Sequence, residues 1–190
     1  MEVKIRKNCT FATGLNLENN FCVNLYNFEI TMNVYTDDTY AQNIAVSRLD
    51  FFLDILMEDS VIVCADNTDI IQKYTDAGLK VCTTPEQPYD QIVAMVVLLK
   101  LNAIMEGHLF VTDIHFTSAL GNGITFELQH ELAEAMTPIK GWWTRNDMSI
   151  CDMPKEKSNV IELKNPMSWG SVKLSFKNPN NEETVDTTVK

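Results

Sequence analysis

Asp113 and His115 stand two residues apart in the largely apolar stretch HLFVTDIHFTS, residues 108–118. Side chains alternate between two faces of a strand, so an aspartate and a histidine at this spacing share one face. The carboxylate can fix the tautomer of the imidazole and stabilise its protonated form, as acid–base catalysis requires. We therefore take Asp113 and His115 as a candidate catalytic pair, and a hydrogen-bonded structural pair as the alternative.

Regular alternation assigns every side chain of this stretch to one of two faces. The face with the candidate pair is predicted to hold Leu109, Val111, Asp113, His115 and Thr117. The opposite face is predicted to hold Phe110, Thr112, Ile114, Phe116 and Ser118.

A second titratable group lies in ELQHELAE, residues 127–134. If this stretch is helical, its acids and its histidine share a face, which predicts an exposed acidic surface. Glu-x-x-His also occurs in di-iron bundles, but those need a second copy on a facing helix. An alternative is that His130, with Glu127 or Glu131, joins Asp113 and His115 around a divalent metal. We assign no metal or cofactor.

The stretch 88–106 predicts a helix that is apolar on nearly every side. Gln91, Asn102 and Glu106 fall close together around its axis and form a polar seam, a candidate ligand-binding surface. Lys100 lies on the apolar side, where it must reach solvent or meet a carboxylate such as Asp90 or Asp113. It is either a structural ion pair or the binding residue for a small anionic ligand.

Two features point to partners. A helix that is apolar all round is either sandwiched within its domain or buried between subunits, which favours a homodimer or another small homo-oligomer. Tryptophans in loop-like sequence are typical of interfaces when exposed, and otherwise pack beneath the loop. Candidate partner-binding residues are therefore Trp142, Trp143 and Trp169.

The centre of the chain alternates strands and helices in the order β-α-β-α-β-α-β. This order predicts an α/β layered domain with a mixed, partly parallel sheet, and β-rich additions at both ends. A ferredoxin-like α+β sandwich is the alternative. The predicted elements are helices at 38–58, 68–77 and 88–106 and strands at 60–65, 79–83 and 108–117.

Residues 1–36 are β-rich. In FCVNLYNFEITMNVY the apolar residues change parity at Tyr26–Asn27, which predicts a turn or bulge there. The domain prediction is a single α/β domain at 1–136, an irregular extension with a hairpin at 137–176, and a disordered tail at 177–190.

Charge and composition narrow the function classes. The chain has 190 residues and a formal net charge of −11, with its few basic residues dispersed, so we expect no direct nucleic-acid binding. No apolar run is long enough to span a membrane. Five cysteines without a Cys-x-x-Cys motif favour reduced thiols, and hence a cytoplasmic protein.

No Walker A loop, Rossmann glycine motif, Gly-x-Ser-x-Gly elbow or His-Glu-x-x-His motif is present. The leading hypothesis is therefore a non-catalytic acidic binding protein that holds a protein partner or a small ligand. Its small, acidic, Asn- and Met-rich character suggests a viral or mobile-element accessory protein. The alternatives are a small metal-dependent or acid–base hydrolase that uses Asp113 and His115, and a structural assembly subunit.

Overall fold

The computed structural model describes residues 3–136 and 140–152, together with the backbone of residues 175–176 and 185–186. The chain divides into two compact units, residues 1–152 and residues 153–190. The elements of the first unit are β1 (Lys4–Leu17), β2 (Asn20–Val34), α1 (Thr39–Phe51), β3 (Val61–Cys64), α2 (Thr68–Asp76), β4 (Val81–Thr84), α3 (Asp90–Ile104), β5 (Leu109–Ser118), β6 (Thr125–Gln129) and α4 (His130–Met136).

Six strands form one mixed sheet in the order β4-β3-β1-β2-β5-β6. Strands β1, β3 and β4 run parallel to one another, whereas β1, β2, β5 and β6 pair antiparallel. This arrangement confirms the predicted α/β class with a partly parallel sheet. The predicted helices and central strands are present within a few residues of their expected ends, and a π-helical turn, Phe52–Met57, continues α1.

The two faces of the sheet are covered differently. Helices α1, α3 and α4 lie on one face, which we call the inner face and which holds the main hydrophobic core. On the opposite, outer face, Tyr74 of α2 contacts Asn16 and Phe21, so α2 lies over the parallel end of the sheet. Beyond this contact at Phe21, no helix in the described part of the chain covers the outer face of β2, β5 and β6.

Strand β2 is continuous through Tyr26–Asn27, so the predicted turn or bulge at that point is wrong. The strands β1 and β2 form one long hairpin whose turn residues, Glu18 and Asn19, both have positive φ. The change of parity has another cause: β2 is apolar on both faces, at different positions. Its inner face buries Phe28, Ile30 and Met32, whereas its outer face exposes Phe21, Val23 and Leu25.

Strand β5 contains the bulge instead. Its register against β2 shifts between Thr31 and Met32, where Thr112 is the additional residue. The predicted regular alternation is therefore wrong along this strand. The inner face holds Leu109, Val111, Ile114, Phe116 and Ser118, whereas the outer face holds Phe110, Asp113, His115 and Thr117. The bulge keeps all the large aliphatic residues of β5 in the core.

Helix α3 is the centre of the inner layer, and ten of its fifteen residues are buried. The sheet, α1, α4 and the segment 140–152 all contact it. The apolar surface of α3 is therefore buried within one chain. Burial of this helix no longer gives a reason to expect the predicted homodimer.

The segment 140–152 packs on the core of the first unit, beyond the predicted domain end at residue 136. In the second unit, β7 (Ser175–Phe176) pairs antiparallel with β8 (Val185–Asp186), so a strand lies within the predicted disordered tail. The predicted hairpin strand at 160–164 lies outside the described residues. Within the described residues, no helix has the length and apolar character to cross a membrane.

Because β2 side chains lie on an exposed face and a buried face, truncation is expected to have a small effect on one face and a large effect on the other. Val23 is 66% exposed and Ile30 is fully buried. We expect Val23→Ala to change the free energy of unfolding by less than about 0.5 kcal/mol, and Ile30→Ala to lower it by about 2–5 kcal/mol. Urea unfolding followed by circular dichroism measures both values. Equal losses would contradict the continuous register of this strand.

Candidate functional site

Asp113 and His115 lie together on the outer face, as predicted. The Nε2 atom of His115 is 3.4 Å from Oδ1 of Asp113, and the other carboxylate oxygen accepts a 2.7 Å hydrogen bond from the Thr112 hydroxyl. The two side chains are 43% and 24% exposed, respectively. The pair is therefore in contact with solvent, where electrostatic interactions are weaker than in a water-excluded site.

A shallow cavity of about 290 Å³ lies beside this pair on the outer face. The register of the sheet brings the side chains that line this cavity next to one another. Asn8 is opposite Glu29 and Thr10 is opposite Asn27, and β5 pairs with the other edge of β2. The hydroxyl of Thr10 donates a 2.9 Å hydrogen bond to the Asn27 side-chain oxygen and orients that amide. Polar lining side chains are those of Asn8, Thr10, Asn27, Glu29, His115, Thr117 and, on β6, Thr125.

The neighbours of His115 across the sheet are acids. Glu29 on β2 and Glu127 on β6 are its register partners, and Glu29 is paired with Arg6 at 3.2 Å. Within the described ranges, no group of three or more His, Cys, Asp or Glu side chains is arranged to hold a metal ion. The outer face therefore offers hydrogen-bonding groups and local charge.

His130 does not join this site. The stretch 127–134 is not one helix: Glu127 belongs to β6, and α4 begins at His130. The Nδ1 atom of His130 is 3.1 Å from Nδ2 of Asn102, its Nε2 is 3.3 Å from Glu134, and its ring packs edge-on against Phe110. The metal site combining His130 with Asp113 and His115 therefore has no support in this geometry.

Lys100 is fully buried, and its ammonium group is coordinated by the segment that follows α4. It donates to the carbonyl oxygens of Trp142 at 3.0 Å, Arg145 at 2.9 Å and Asp147 at 2.5 Å. The Asp147 carboxylate is 3.4 Å away, and the ammonium lies 5.4 Å from the centre of the Trp142 ring. Asp147, rather than the predicted Asp90 or Asp113, is thus its acidic partner.

Three carbonyls use the three N–H donors of the ammonium, so Lys100 is placed as a structural residue and not as the predicted anion site. Burial lowers the pKa of Lys100, and Asp147 opposes this shift. Hydrogen bonds from Ser149 are the main cause that lowers the pKa of Asp147 to about 2, and Lys100 contributes further. A lowered carboxyl pKa stabilises the fold above the unfolded-state value and loses this effect as the pH falls towards 2.

The predicted polar seam on α3 does not form one ligand surface. Asn102 accepts a 2.6 Å hydrogen bond from the Val111 amide and donates to the Val111 carbonyl at 3.1 Å, along an edge of β5 that β6 does not reach. Glu106 lies beyond the end of the helix and pairs with Arg48 at 3.0 Å. Gln91 is exposed at the opposite end of α3, beside another cavity.

Trp142 and Trp143 are buried, with 0% and 3% exposure, so neither forms the predicted exposed partner surface. The indole N–H of Trp142 donates a 2.7 Å hydrogen bond to the Thr83 carbonyl at the edge of β4, and its ring packs against Phe52. Both rings therefore extend the core beneath the loop. Trp169 lies outside the described residues.

One polar cluster was not found by sequence reasoning. Asp90, the first residue of α3, accepts hydrogen bonds from Asn24 at 3.2 Å and Tyr26 at 3.0 Å on Oδ1, and from Ser118 at 2.5 Å on Oδ2. We call these four residues the Asp90 cluster. Asn24, Tyr26 and Ser118 are buried on the inner face, and burial followed by Asp90 raises the pKa of Tyr26.

A second cavity, of about 210 Å³, adjoins the Asp90 cluster. Its lining residues are Leu17, Pro88, Tyr89, Asp90, Gln91 and Leu120. In the sequence Asp90 looks like an ordinary acid at a helix start. One sequence feature could have revealed the cluster. Asn24 and Tyr26 alternate with the apolar residues Val23 and Leu25 along β2, so these polar side chains share one face of the strand, and that face is buried in the structure.

Comparisons with known proteins bear on the fold. No protein-family model matches this sequence, and no curated protein matches it. The structure is similar to that of an uncharacterised protein from Wolinella succinogenes, with a TM-score of 0.50 and 9% identity, over 68% of this chain and 98% of that one. A 6-pyruvoyltetrahydropterin synthase from Plasmodium vivax gives a TM-score of 0.41 at 9% identity, over 67% of this chain and 97% of that one. At such identity, the first likeness concerns the fold alone.

The coordination of Lys100 predicts a large loss of stability on its removal. Lys100→Met keeps most of the apolar stem but leaves three carbonyls without their donor. We expect it to lower the free energy of unfolding by about 2–4 kcal/mol, measured by urea denaturation. Lys73→Met on the exposed surface of α2 is the matched control, with an expected change within about 0.5 kcal/mol. A loss below about 1 kcal/mol at Lys100 would contradict its structural role.

Proposed function

We propose that this protein is a non-catalytic binding protein that holds a small polar ligand on the outer face of its sheet. The observation that carries the proposal is the outer-face cavity, where amide, hydroxyl, imidazole and carboxylate groups from four neighbouring strands converge. Rigid strands keep these groups in place, so the cost of ordering a binding site is already met when the fold forms.

The chemistry of the lining indicates a neutral polar ligand. Asn8, Thr10, Asn27 and Thr117 can each donate or accept hydrogen bonds without carrying a charge. No Lys or Arg is among the described lining residues, so an anion would have no cationic partner in this cavity. The small anionic ligand expected from the sequence depended on Lys100, whose donors are used within the fold.

Two further parts of the proposal concern setting and assembly. Cys9, Cys22, Cys64 and Cys82 are free thiols in the structure, which suits a reducing compartment such as the cytoplasm. We propose a homodimer for a different reason: Phe21, Val23 and Leu25 form an exposed apolar strip on the outer face of β2. The alternative of a protein partner would use the same strip.

The proposal is tested by native mass spectrometry of protein purified, without chelator, from the cells that naturally produce it. We expect an adduct of small-molecule mass on the wild type and its loss in Thr117→Trp, which fills the cavity. Gln129→Trp places the same side chain on the outer face away from the cavity lining and is expected to keep the adduct. A wild type without an adduct, or an adduct retained by Thr117→Trp, would refute the proposal.

The same spectra report the number of subunits. A dimer in the wild type that becomes a monomer in Val23→Glu supports assembly through the apolar strip. A monomeric wild type at micromolar concentration would remove the homodimer from the proposal.

Acid–base hydrolysis is the second candidate function, and the 3.4 Å contact between Asp113 and His115 favours it. Against it stands the exposure of both side chains, since catalytic groups act most strongly in sites that exclude water. The identified adduct, incubated with the wild type, separates the two functions. An unchanged ligand supports binding, whereas a conversion that His115→Gln abolishes would establish the enzyme instead.

A further inference from the structure

The Asp90 cluster and its cavity form a second site, separate from the outer-face cavity. Asn24, Tyr26 and Ser118 are inner-face residues, so this site lies on the opposite side of the sheet from Asp113 and His115. We propose that the Asp90 carboxylate binds the ammonium group of a small amine whose apolar body occupies the adjoining cavity of about 210 Å³.

The hydrogen bonds of Asp90 leave room for one more donor. A carboxylate offers about four acceptor positions, two on each oxygen. Asn24 and Tyr26 use two on Oδ1, and Ser118 uses one on Oδ2. The remaining position is on Oδ2, the atom from which a side chain at Gly121 would be only 3.4 Å away. Because glycine carries no side chain, Gly121 places no Cβ against this oxygen.

Hydrogen-bond strength and net charge favour a cation at Asp90, against the opposing positive charge of the N-terminal end of α3. A hydrogen bond between an ammonium and a carboxylate is roughly twice as strong as one between neutral groups. The chain also carries a net charge of −11, which raises the local concentration of cations near its surface. Buried partners hold the carboxylate in a fixed orientation before a ligand arrives, which lowers the entropic cost of binding.

The cavity sets the size and shape of the ligand. Its volume is below the roughly 300–1,000 Å³ that is usual for drug-sized molecules, so the ligand is small. Leu17, Pro88 and Leu120 give it apolar walls, and Gln91 adds an amide at its side. An amine on a single ring or a short branched chain matches this combination of one charge and an apolar body.

Benzylamine is the probe, and benzyl alcohol is its neutral counterpart of the same shape. Each is titrated into the ¹⁵N-labelled full chain, and amide chemical shifts are followed by NMR. We expect saturable shifts from benzylamine at Gln91, Leu120 and Gly121, and binding at least tenfold weaker for benzyl alcohol. Equal affinities, or shifts scattered over the acidic surface, would overturn the proposal.

Three variants separate a loss of binding from a loss of folding. Asp90→Asn removes the charge but also disturbs the cluster, so Leu120→Trp, which fills the cavity and leaves Asp90 in place, is the decisive variant. Ile124→Trp, an exposed position a few residues further along, is its control. We expect Leu120→Trp to abolish the local shifts and Ile124→Trp to keep them. Shifts that persist in Leu120→Trp would refute the site. The outer-face experiment is unaffected by either result, because it uses a different cavity and a different readout.

Discussion

The need to bury α3 on nearly every side organises the rest of this fold. A helix with ten of fifteen residues buried cannot be covered by a sheet alone. Helices α1 and α4 and the segment 140–152 therefore contact it as well. The one charged group on its buried surface, Lys100, is tolerated because three backbone carbonyls meet its ammonium. This coordination also fixes the course of the loop that brings Trp142 into the core.

The outer face of the sheet is largely uncovered because most helices pack on the inner face. Only α2 lies on the other side, over β3 and β4, so in the described residues the antiparallel half of the sheet stays open there. Antiparallel sheets commonly have one solvated face, but this one is unusual in composition. It combines an exposed apolar strip on β2 with the adjoining polar cavity beside His115. That combination is why binding, rather than structural support alone, is the function we favour.

The sequence was sufficient to predict elements whose signals are local. Helix ends, the short buried strands and the α/β class followed from periodicity and capping residues, and the shared face of Asp113 and His115 followed from their spacing. What failed depended on distant partners. The bulge at Thr112 is set by pairing with β2. Which of the two apolar faces of β2 is buried depends on where the helices pack against the sheet. Likewise, the ligands of Lys100 come from residues more than forty positions away, and the Asp90 cluster is assembled from three separate elements.

A crystal structure of the protein purified from its natural cells, without chelator, tests the role of the outer face most directly. It examines the cavity itself and does not depend on a variant that must fold. The binding function predicts electron density for a small polar molecule in the outer-face cavity, within hydrogen-bond distance of Asn27 and Thr117. A cavity that holds only ordered water, with the Asp113–His115 pair unchanged, would contradict it.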